Sequence, residues 1–190
     1  MNKKMIIIEG YLAAGKSTFA LQLSRQINVP YLVKDTFKIA LCKNVSVTNR
    51  SESSLFSTVT FDAMMYVTER MFETGNPIII EGNFVPAGVK KVDEAGLIKG
   101  LIDKYGYTPL TFKFSGDTQV LYKRFIERET TTERGQVNKI GVDIPYEIFD
   151  KWCHNLDNFN VGGKIVQVDT TDFTKVDFNT YIEFARQFIN

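Results

Sequence analysis

Residues 10–18 have the composition and spacing of a loop that binds phosphate groups. Their order matches the pattern G-x-x-x-x-G-K-[ST], which defines the P-loop. In such a loop the lysine reaches the β- and γ-phosphates of a nucleoside triphosphate, and the serine hydroxyl binds Mg²⁺. The pattern therefore predicts a set of residues that hold the nucleotide: Gly10, Ala13, Ala14, Gly15, Lys16, Ser17 and Thr18.

The segments on either side of the loop are those that this chemistry requires. Residues 5–8 form an apolar run rich in isoleucine, which is typical of a buried strand. After the loop, Phe19, Leu23 and Ile27 recur at helical spacing. Amide groups at the start of a helix lack intrahelical partners and carry partial positive charge, so a polyphosphate placed there is stabilised. A chance match in a plain loop, which is the alternative, would lack this strand–loop–helix context.

The composition of the chain bounds the class of protein. With 190 residues and a net charge of +1, we expect one domain over residues 1–190 and no bulk nucleic acid as partner. No apolar run is long enough to cross a membrane, and the run at 5–8 is too short for a signal peptide. Cys42 and Cys153 have neither metal-ligand nor disulfide spacing. We therefore expect a cytoplasmic protein, whose oligomeric state stays open.

Short apolar runs alternate with longer amphipathic segments along the whole chain, which predicts an α/β fold with helices on both faces of a parallel sheet. Several runs are continuously apolar, as strands buried on both sides should be. The predicted strands are Lys4–Glu9, Tyr31–Lys34, Pro77–Glu81, Thr108–Phe114 and Lys164–Val168. The predicted helices lie near Gly15–Ile27, Ser54–Thr74, Val89–Tyr105, Thr118–Arg128, Tyr146–Asn160 and Val176–Ile189.

Carboxylates follow the predicted strands at the edge where parallel sheets bind ligands. Asp35 follows the second strand, where it could take a proton from a substrate hydroxyl or orient it; the alternative is the N-cap of a helix. Glu81 ends the third strand, placed to bind Mg²⁺ through water or to bind substrate, unless it simply faces solvent. Asn83 and Phe84 come next and are predicted to shape the pocket of the acceptor. Glu9 is a weaker candidate for the task of Glu81.

Arginines are expected to converge on the same edge from the second half of the chain. Arg124 and Arg128 are four residues apart and share one face of a predicted helix. The polar segment 129–143, which contains Arg134, is typical of a small lid. Together these arginines could stabilise charge on a transferring phosphoryl group, so we place them with Lys16 as catalytic candidates. The alternatives are a salt-bridged helix surface and a plain surface loop.

Two further features have weaker functional interpretations. Asp169 and Thr170 follow the last strand, where their backbone could frame the adenine ring, although a turn built from Asp and Thr would look the same. His154, the only histidine, lies beside Trp152 and Cys153 in an amphipathic segment. Because phosphoryl transfer does not require histidine, a structural role is the simpler interpretation for His154.

Four segments together resemble one family: residues 10–18, 33–37, 78–84 and 120–129. They are similar to the P-loop small-molecule kinases such as chloramphenicol phosphotransferase, gluconate kinase and the kinase domain of polynucleotide kinase. Nucleotide and shikimate kinases are more distant relatives. Of the four segments, only the P-loop is a specific match. The other three are short, and their similarity lies mainly in where they occur along the chain.

The resemblance implies a three-layer α/β/α domain with a five-stranded parallel sheet and a small lid. It also implies ATP with Mg²⁺ as the phosphoryl donor, a small molecule as the acceptor and Asp35 as the base. The lid arginines would be near Arg124, Arg128 and Arg134. Many members have glycine where this chain has Ala13, so the Cβ atom there is expected to alter the loop slightly.

Three other functions remain open at this point. A GTPase would need Asn-Lys-x-Asp after a strand, and residues 138–141 end in glycine instead of aspartate. A non-catalytic ATP-binding protein would have the same loop. A nucleoside monophosphate kinase would need arginines between the second and third strands, where the chain offers Arg50 and Arg70. The same segment has many apolar side chains, which suit core packing or an uncharged acceptor.

Overall fold

The computed structural model of the chain describes residues 3–45, 50–129 and 144–190. Within them, five parallel strands form one sheet in the order β2-β3-β1-β4-β5. The strands are β1 (Lys4–Gly10), β2 (Tyr31–Val33), β3 (Ile78–Glu81), β4 (Thr108–Ser115) and β5 (Lys164–Asp169). The P-loop strand β1 therefore lies in the middle of the sheet, with β3 and β4 as its neighbours.

Seven α-helices of the described ranges connect or follow these strands. They are α1 (Lys16–Ile27), α2 (Lys34–Cys42), α3 (Arg50–Glu73), α4 (Glu94–Tyr105), α5 (Thr118–Glu129), α6 (Tyr146–His154) and α7 (Phe178–Ile189). A short 3₁₀ helix spans Phe173–Lys175. None of the helices in the described part of the chain has the length and apolarity that a membrane span needs.

The side chains of β1 alternate between two apolar cores, one on each face of the sheet. Ile6 and Ile8 belong to a core that also contains side chains of α1, α5, α6 and α7. Met5 and Ile7 belong to a second core, built with side chains of α3 and α4. Because β1 is buried on both faces, its sequence is a continuous apolar run. The predicted three-layer α/β/α fold with a five-stranded parallel sheet is confirmed.

The helices differ from the sequence prediction in several places. Helix α3 begins at Arg50 and not near Ser54, and helix α7 begins at Phe178 and not near Val176. Helix α2 was not predicted, because it follows β2 directly and no loop separates the two. Helix α4 begins at Glu94 and not at Val89, since the carboxylate of Asp93 accepts a hydrogen bond from the Gly96 amide and caps the helix. Helix α6 ends at His154, after which the chain continues in tight turns that bury Leu156 and Phe159.

The predicted lid falls almost wholly on residues that the structure does not describe. Of the segment 129–143, only the backbone of Glu129 is described, as the last residue of α5. Arg134 lies outside the described residues as well. The lid, its arginine and the extent of the domain over residues 1–190 therefore stay predictions.

The P-loop begins where β1 lies closest to β4. Gly10 has a φ of 127°, and a Cβ atom added to it would lie 1.9 Å from the carbonyl oxygen of Phe114. The same oxygen accepts a hydrogen bond from the Tyr11 amide at 2.8 Å. Only glycine fits this combination of positive φ and close backbone approach. The first glycine of the motif is thus required by the sheet as well as by the phosphate.

We expect Gly10→Ala to lower the free energy of unfolding by about 3 kcal/mol, because alanine is strained at this φ and its methyl group meets the backbone of β4. Urea unfolding would measure the change. Gly100→Ala is the matched control: Gly100 is exposed within α4, and a Cβ atom there meets nothing within 4 Å. Since alanine is the better helix former, the control should gain about 0.5–1 kcal/mol. Equal stability of the two variants would contradict this explanation of Gly10.

Candidate functional site

A cavity of about 490 Å³ opens where the P-loop and the first turns of α1 and α2 meet the carboxyl end of β3. Most of the predicted site residues line it: Ala13, Ala14, Gly15, Lys16, Ser17, Thr18, Asp35, Glu81, Asn83, Arg124 and Arg128. Five predicted residues among those described do not line it: Glu9, Gly10, Phe84, Asp169 and Thr170. Residues that are far apart in the sequence, and that were predicted from their positions after the strands, therefore lie around one cavity.

The P-loop backbone takes the left-handed conformation at two positions. Gly15 has a φ of 82° and is the N-cap of α1, and Ala13 has a φ of 59°. A φ of 59° is strained for the alanine at position 13, whereas a glycine would adopt it without strain. The conformation of Ala13 explains physically why glycine is common there in similar loops, and the loop still forms with alanine.

Lys16 is buried, and its ammonium group is held by the loop that contains it. Nζ donates to the carbonyl oxygens of Gly10 at 2.8 Å and Tyr11 at 2.6 Å. Burial lowers the pKa of Lys16, and the negative charges of Glu81, Glu9 and Asp35 oppose this shift. Two of its three N–H groups thus have acceptors among the described residues, and the side chain lines the cavity.

Ser17 and Glu81 contact each other on the floor of the cavity. The Ser17 hydroxyl donates to Glu81 Oε2 at 2.9 Å, and Glu81 is 5% exposed. A hydroxyl and a carboxylate this close are ligands of the kind that Mg²⁺ takes, together with water and substrate phosphates. No cluster of three or more His, Cys, Asp or Glu side chains suited to a metal exists in the described ranges. Ser17 and Glu81 are thus described residues of the cavity that could hold a magnesium ion.

Asp35 lies in the first turn of α2 and lines the cavity. The helix begins at Lys34, and its N-cap residue is Val33, which makes no side-chain capping bond. The alternative of Asp35 as an N-cap is therefore wrong. The partial positive charge at the start of α2 favours a carboxylate in this turn.

Arg124 is fixed by the loop that follows β5. Its guanidinium donates to the carbonyl oxygens of Thr170 at 2.6 Å and Thr171 at 2.7 Å, and it lies 4.2 Å from the ring centre of Phe173. Arg128 lines the same wall, and its positive charge helps to lower the pKa of Lys16. The alternative of a salt-bridged surface does not describe Arg124, since this side chain contacts two backbone carbonyls and an aromatic ring.

Solved structures share this arrangement of strands and helices. A "putative kinase" from Chloroflexus aurantiacus j-10-fl is 21% identical, with 98% of this chain and 95% of that chain covered and a TM-score of 0.81. The chain has the fold of the P-loop kinases. The APS kinase CysC of Mycobacterium tuberculosis, solved with AMPPNP and APS, is 12% identical over 99% and 98% of the two chains, with a TM-score of 0.60.

A gluconokinase from Sinorhizobium meliloti 1021 is also similar, at 13% identity over 99% of this chain and 92% of that one, with a TM-score of 0.55. No family model and no curated protein matches the sequence. At these identities the solved structures establish the fold alone. The resemblance that the P-loop and the three short segments indicated is confirmed at that level.

Phe84, Asp169 and Thr170 lie outside the cavity of this P-loop kinase fold for different reasons. Phe84 is fully buried between Phe61 and Phe159, with both ring centres 6.2 Å away, so it packs in the core. The Asp169 carboxylate accepts a hydrogen bond from the Thr171 amide at 2.8 Å, which closes a turn. Thr170 is buried and supplies a carbonyl to Arg124. Of these three, none presents a side chain to the cavity.

The histidine lies outside the cavity too. His154 Nδ1 is 2.9 Å from Asp157 Oδ2 and 3.1 Å from the hydroxyl of Tyr11, which donates to Asp157 Oδ1 at 2.7 Å. The hydrogen bond to Asp157 raises the pKa of His154. This cluster fastens the P-loop to the turn after α6, so the structural interpretation of His154 agrees with its contacts.

Two features near the site were missed at the level of sequence. Phe173 lines the cavity, and its ring would lie 2.7 Å from a Cβ atom at Gly15. The sequence gave only a weak indication of this role for Phe173, which is one aromatic residue in a polar run after β5.

Lys34 and Glu94 form a buried salt bridge that joins the start of α2 to the start of α4. No pattern in the sequence indicates that Lys34 and Glu94, which are 60 residues apart, would contact each other.

Glu9, the weaker candidate for metal or substrate, is buried beneath the P-loop and does not line the cavity. Its two carboxyl oxygens have no hydrogen-bond partner in the described part of the chain. Burial raises the pKa of Glu9 to about 8, although the positive charges of Lys16 and Lys113 oppose the shift. Glu9 therefore holds its proton to a higher pH than an exposed glutamate does.

We expect Glu9→Gln to become more stable relative to the wild type as the pH rises from 5 to 8. In the unfolded chain Glu9 ionises near 4.5, whereas in the folded protein its pKa is about 8. The wild type therefore loses stability through this window, by up to roughly 1.4 kcal/mol per pH unit, and the amide variant does not. Urea unfolding at several pH values would measure the difference. The exposed Glu147→Gln is the control, and a constant difference for Glu9→Gln would contradict the assignment.

Proposed function

We propose that the protein is an ATP-dependent phosphotransferase, which moves the γ-phosphoryl group of magnesium-bound ATP to a hydroxyl group of a small molecule. One observation carries the proposal: a single cavity is lined by the Lys16 ammonium, by the Ser17–Glu81 pair and by the Asp35 carboxylate. The similarity to the solved structures of a gluconokinase and an APS kinase supports it.

The donor would occupy the P-loop side of the cavity. The amides at the start of α1 and the ammonium of Lys16 would hold the β- and γ-phosphates. Arg128 would add positive charge near the transferring group, and Arg124 with Phe173 would form a flat surface for the base. Thr170, whose carbonyl fixes Arg124, and Asp169, which closes the turn, would support that surface.

Magnesium would be held by Ser17 and Glu81, and when bound it neutralises charge on the phosphate oxygens. Asp35 would accept the proton of the acceptor hydroxyl while the hydroxyl oxygen bonds to the γ-phosphorus and the bond to ADP breaks. Asn83 would bind the acceptor beside Asp35. We also propose that the reaction takes place in the cytoplasm, where free thiols such as Cys42 and Cys153 persist.

We expect Lys16→Ala to lower kcat/KM for phosphoryl transfer by about a thousandfold, because the variant lacks the ammonium group that would stabilise the β- and γ-phosphates. A coupled assay of ADP release would measure it, with melting temperature as the check on folding. Lys123→Ala, which removes an exposed lysine from α5, is the control and should keep wild-type turnover. Wild-type turnover in Lys16→Ala would refute the donor site.

We expect Asp35→Asn to reduce kcat by about a hundredfold or more while the Kd for ATP changes less than about twofold, because the variant removes a base and leaves the phosphate-binding loop intact. Calorimetry and steady-state kinetics would separate the two effects. Asp62→Asn, at an exposed position of α3, is the control. A parallel loss of ATP affinity would make Asp35 a metal or structural residue, and ATP binding without turnover in the wild type would favour a non-catalytic protein.

A further inference from the structure

The loop after β5 contains the residues that were expected to frame the adenine ring, and its hydrogen-bonding groups are engaged within the protein. The Thr170 amide and hydroxyl both donate to the carbonyl oxygen of Ser115, at 2.9 and 3.1 Å. The Thr171 amide donates to Asp169 at 2.8 Å, and the Thr171 hydroxyl accepts from the Asp117 amide at 2.8 Å. These bonds fasten the loop to the end of β4.

The carbonyl oxygens of the same two threonines are engaged as well. Arg124 donates to the carbonyl of Thr170 at 2.6 Å and to that of Thr171 at 2.7 Å. A base that approached these carbonyls would compete with hydrogen bonds from a charged donor, which are stronger than those from a neutral amine. Of residues 169–176, Phe173 alone lines the cavity. The loop thus presents an aromatic ring to a ligand, and not a pattern of hydrogen-bond donors and acceptors.

Phe173 borders the end of the cavity where the phosphates would bind. A Cβ atom at Gly15, the N-cap of α1, would lie 2.7 Å from its ring, and the guanidinium of Arg124 lies 4.2 Å from its ring centre. Phe173 is 39% exposed, so part of the side chain is open to a ligand. Bases stack on aromatic rings and on arginine through their π-faces, which every base has.

The other described residues on this side of the cavity offer little that distinguishes one base from another. Leu12 and Phe125 are apolar, and Lys16 and Ser17 belong to the phosphates and magnesium under the proposed function. The Thr18 hydroxyl both donates and accepts, so it suits the edge of any base. A site built around hydrogen bonds rejects an analogue that lacks the matching group by about 10⁴-fold, whereas stacking tolerates every base.

We propose that the protein selects its phosphoryl donor by the triphosphate and not by the base, because the base stacks on Phe173 and Arg124 and its edge is not read by hydrogen bonds. ATP and GTP are then nearly equivalent donors, and Phe173 contributes equally to the affinity for both. The inference rests on the proposed function, since it concerns the donor of that same reaction. It widens the donor from ATP to nucleoside triphosphates in general.

The test measures, by calorimetry on the full-length protein with magnesium, the Kd of ATP, GTP, CTP, UTP and inorganic triphosphate. Binding can be measured before the acceptor is known. We expect the Kd values of ATP and GTP to agree within about tenfold, because both purines present a similar π-face. CTP and UTP should bind more weakly than the purine nucleotides, since a smaller ring covers less of Phe173.

Variants of Phe173 test the role of the ring. Phe173→Ala should raise the Kd of ATP and of GTP alike, by about tenfold, and leave the Kd of inorganic triphosphate unchanged. Phe173→Leu keeps an apolar side chain in the 3₁₀ helix and should show the same pattern, which guards against a folding defect in the alanine variant. Tyr66→Ala is the control, because Tyr66 is an exposed aromatic residue of α3 that does not line the cavity.

A difference of more than about tenfold between the Kd values of ATP and GTP in the wild type would overturn the inference and leave the proposed function intact. Unchanged or tighter binding of ATP in both Phe173 variants would overturn it too, since the ring would then not support the base. If the wild type bound neither ATP nor inorganic triphosphate, the proposed function would fail, and the inference with it.

Discussion

The site depends on one buried positive charge, the ammonium group of Lys16. Removing an ammonium from water is costly unless polar groups compensate, and here the carbonyls of Gly10 and Tyr11 do so. Those carbonyls are available because the chain leaves β1 through Gly10, whose lack of a side chain allows close contact with β4. The burial of the Lys16 ammonium group therefore depends on the glycine turn, and the turn depends on the packing of β1 against β4.

Three carboxylates around this charge differ because their surroundings differ. Glu9 lies in the interior, where burial raises its pKa, while Asp35 and Glu81 line the cavity. Separate environments for similar groups are a general way of assigning separate chemical roles.

The five strands were predicted to within one residue at each end. For β1 and β3 the signal was a continuous apolar run, as expected of strands buried on both faces. The P-loop and the strand-end positions of Asp35 and Glu81 followed from pattern and topology alone. Phe84 was misplaced, and Phe173 and the Lys34–Glu94 pair were missed, because their surroundings depend on contacts between distant segments. Helix α2 was missed because it follows β2 without the polar loop that marks most helix starts.

The most direct test of the central interaction compares the affinities of ATP, ADP and AMP in the presence of magnesium, measured by calorimetry on the wild type and on Lys16→Ala. If Lys16 and the glycine turn bind the terminal phosphates, ATP and ADP should bind the wild type at least about a hundredfold more tightly than AMP, and the variant should lose most of that difference. Equal affinities for the three nucleotides in the wild type would contradict the account.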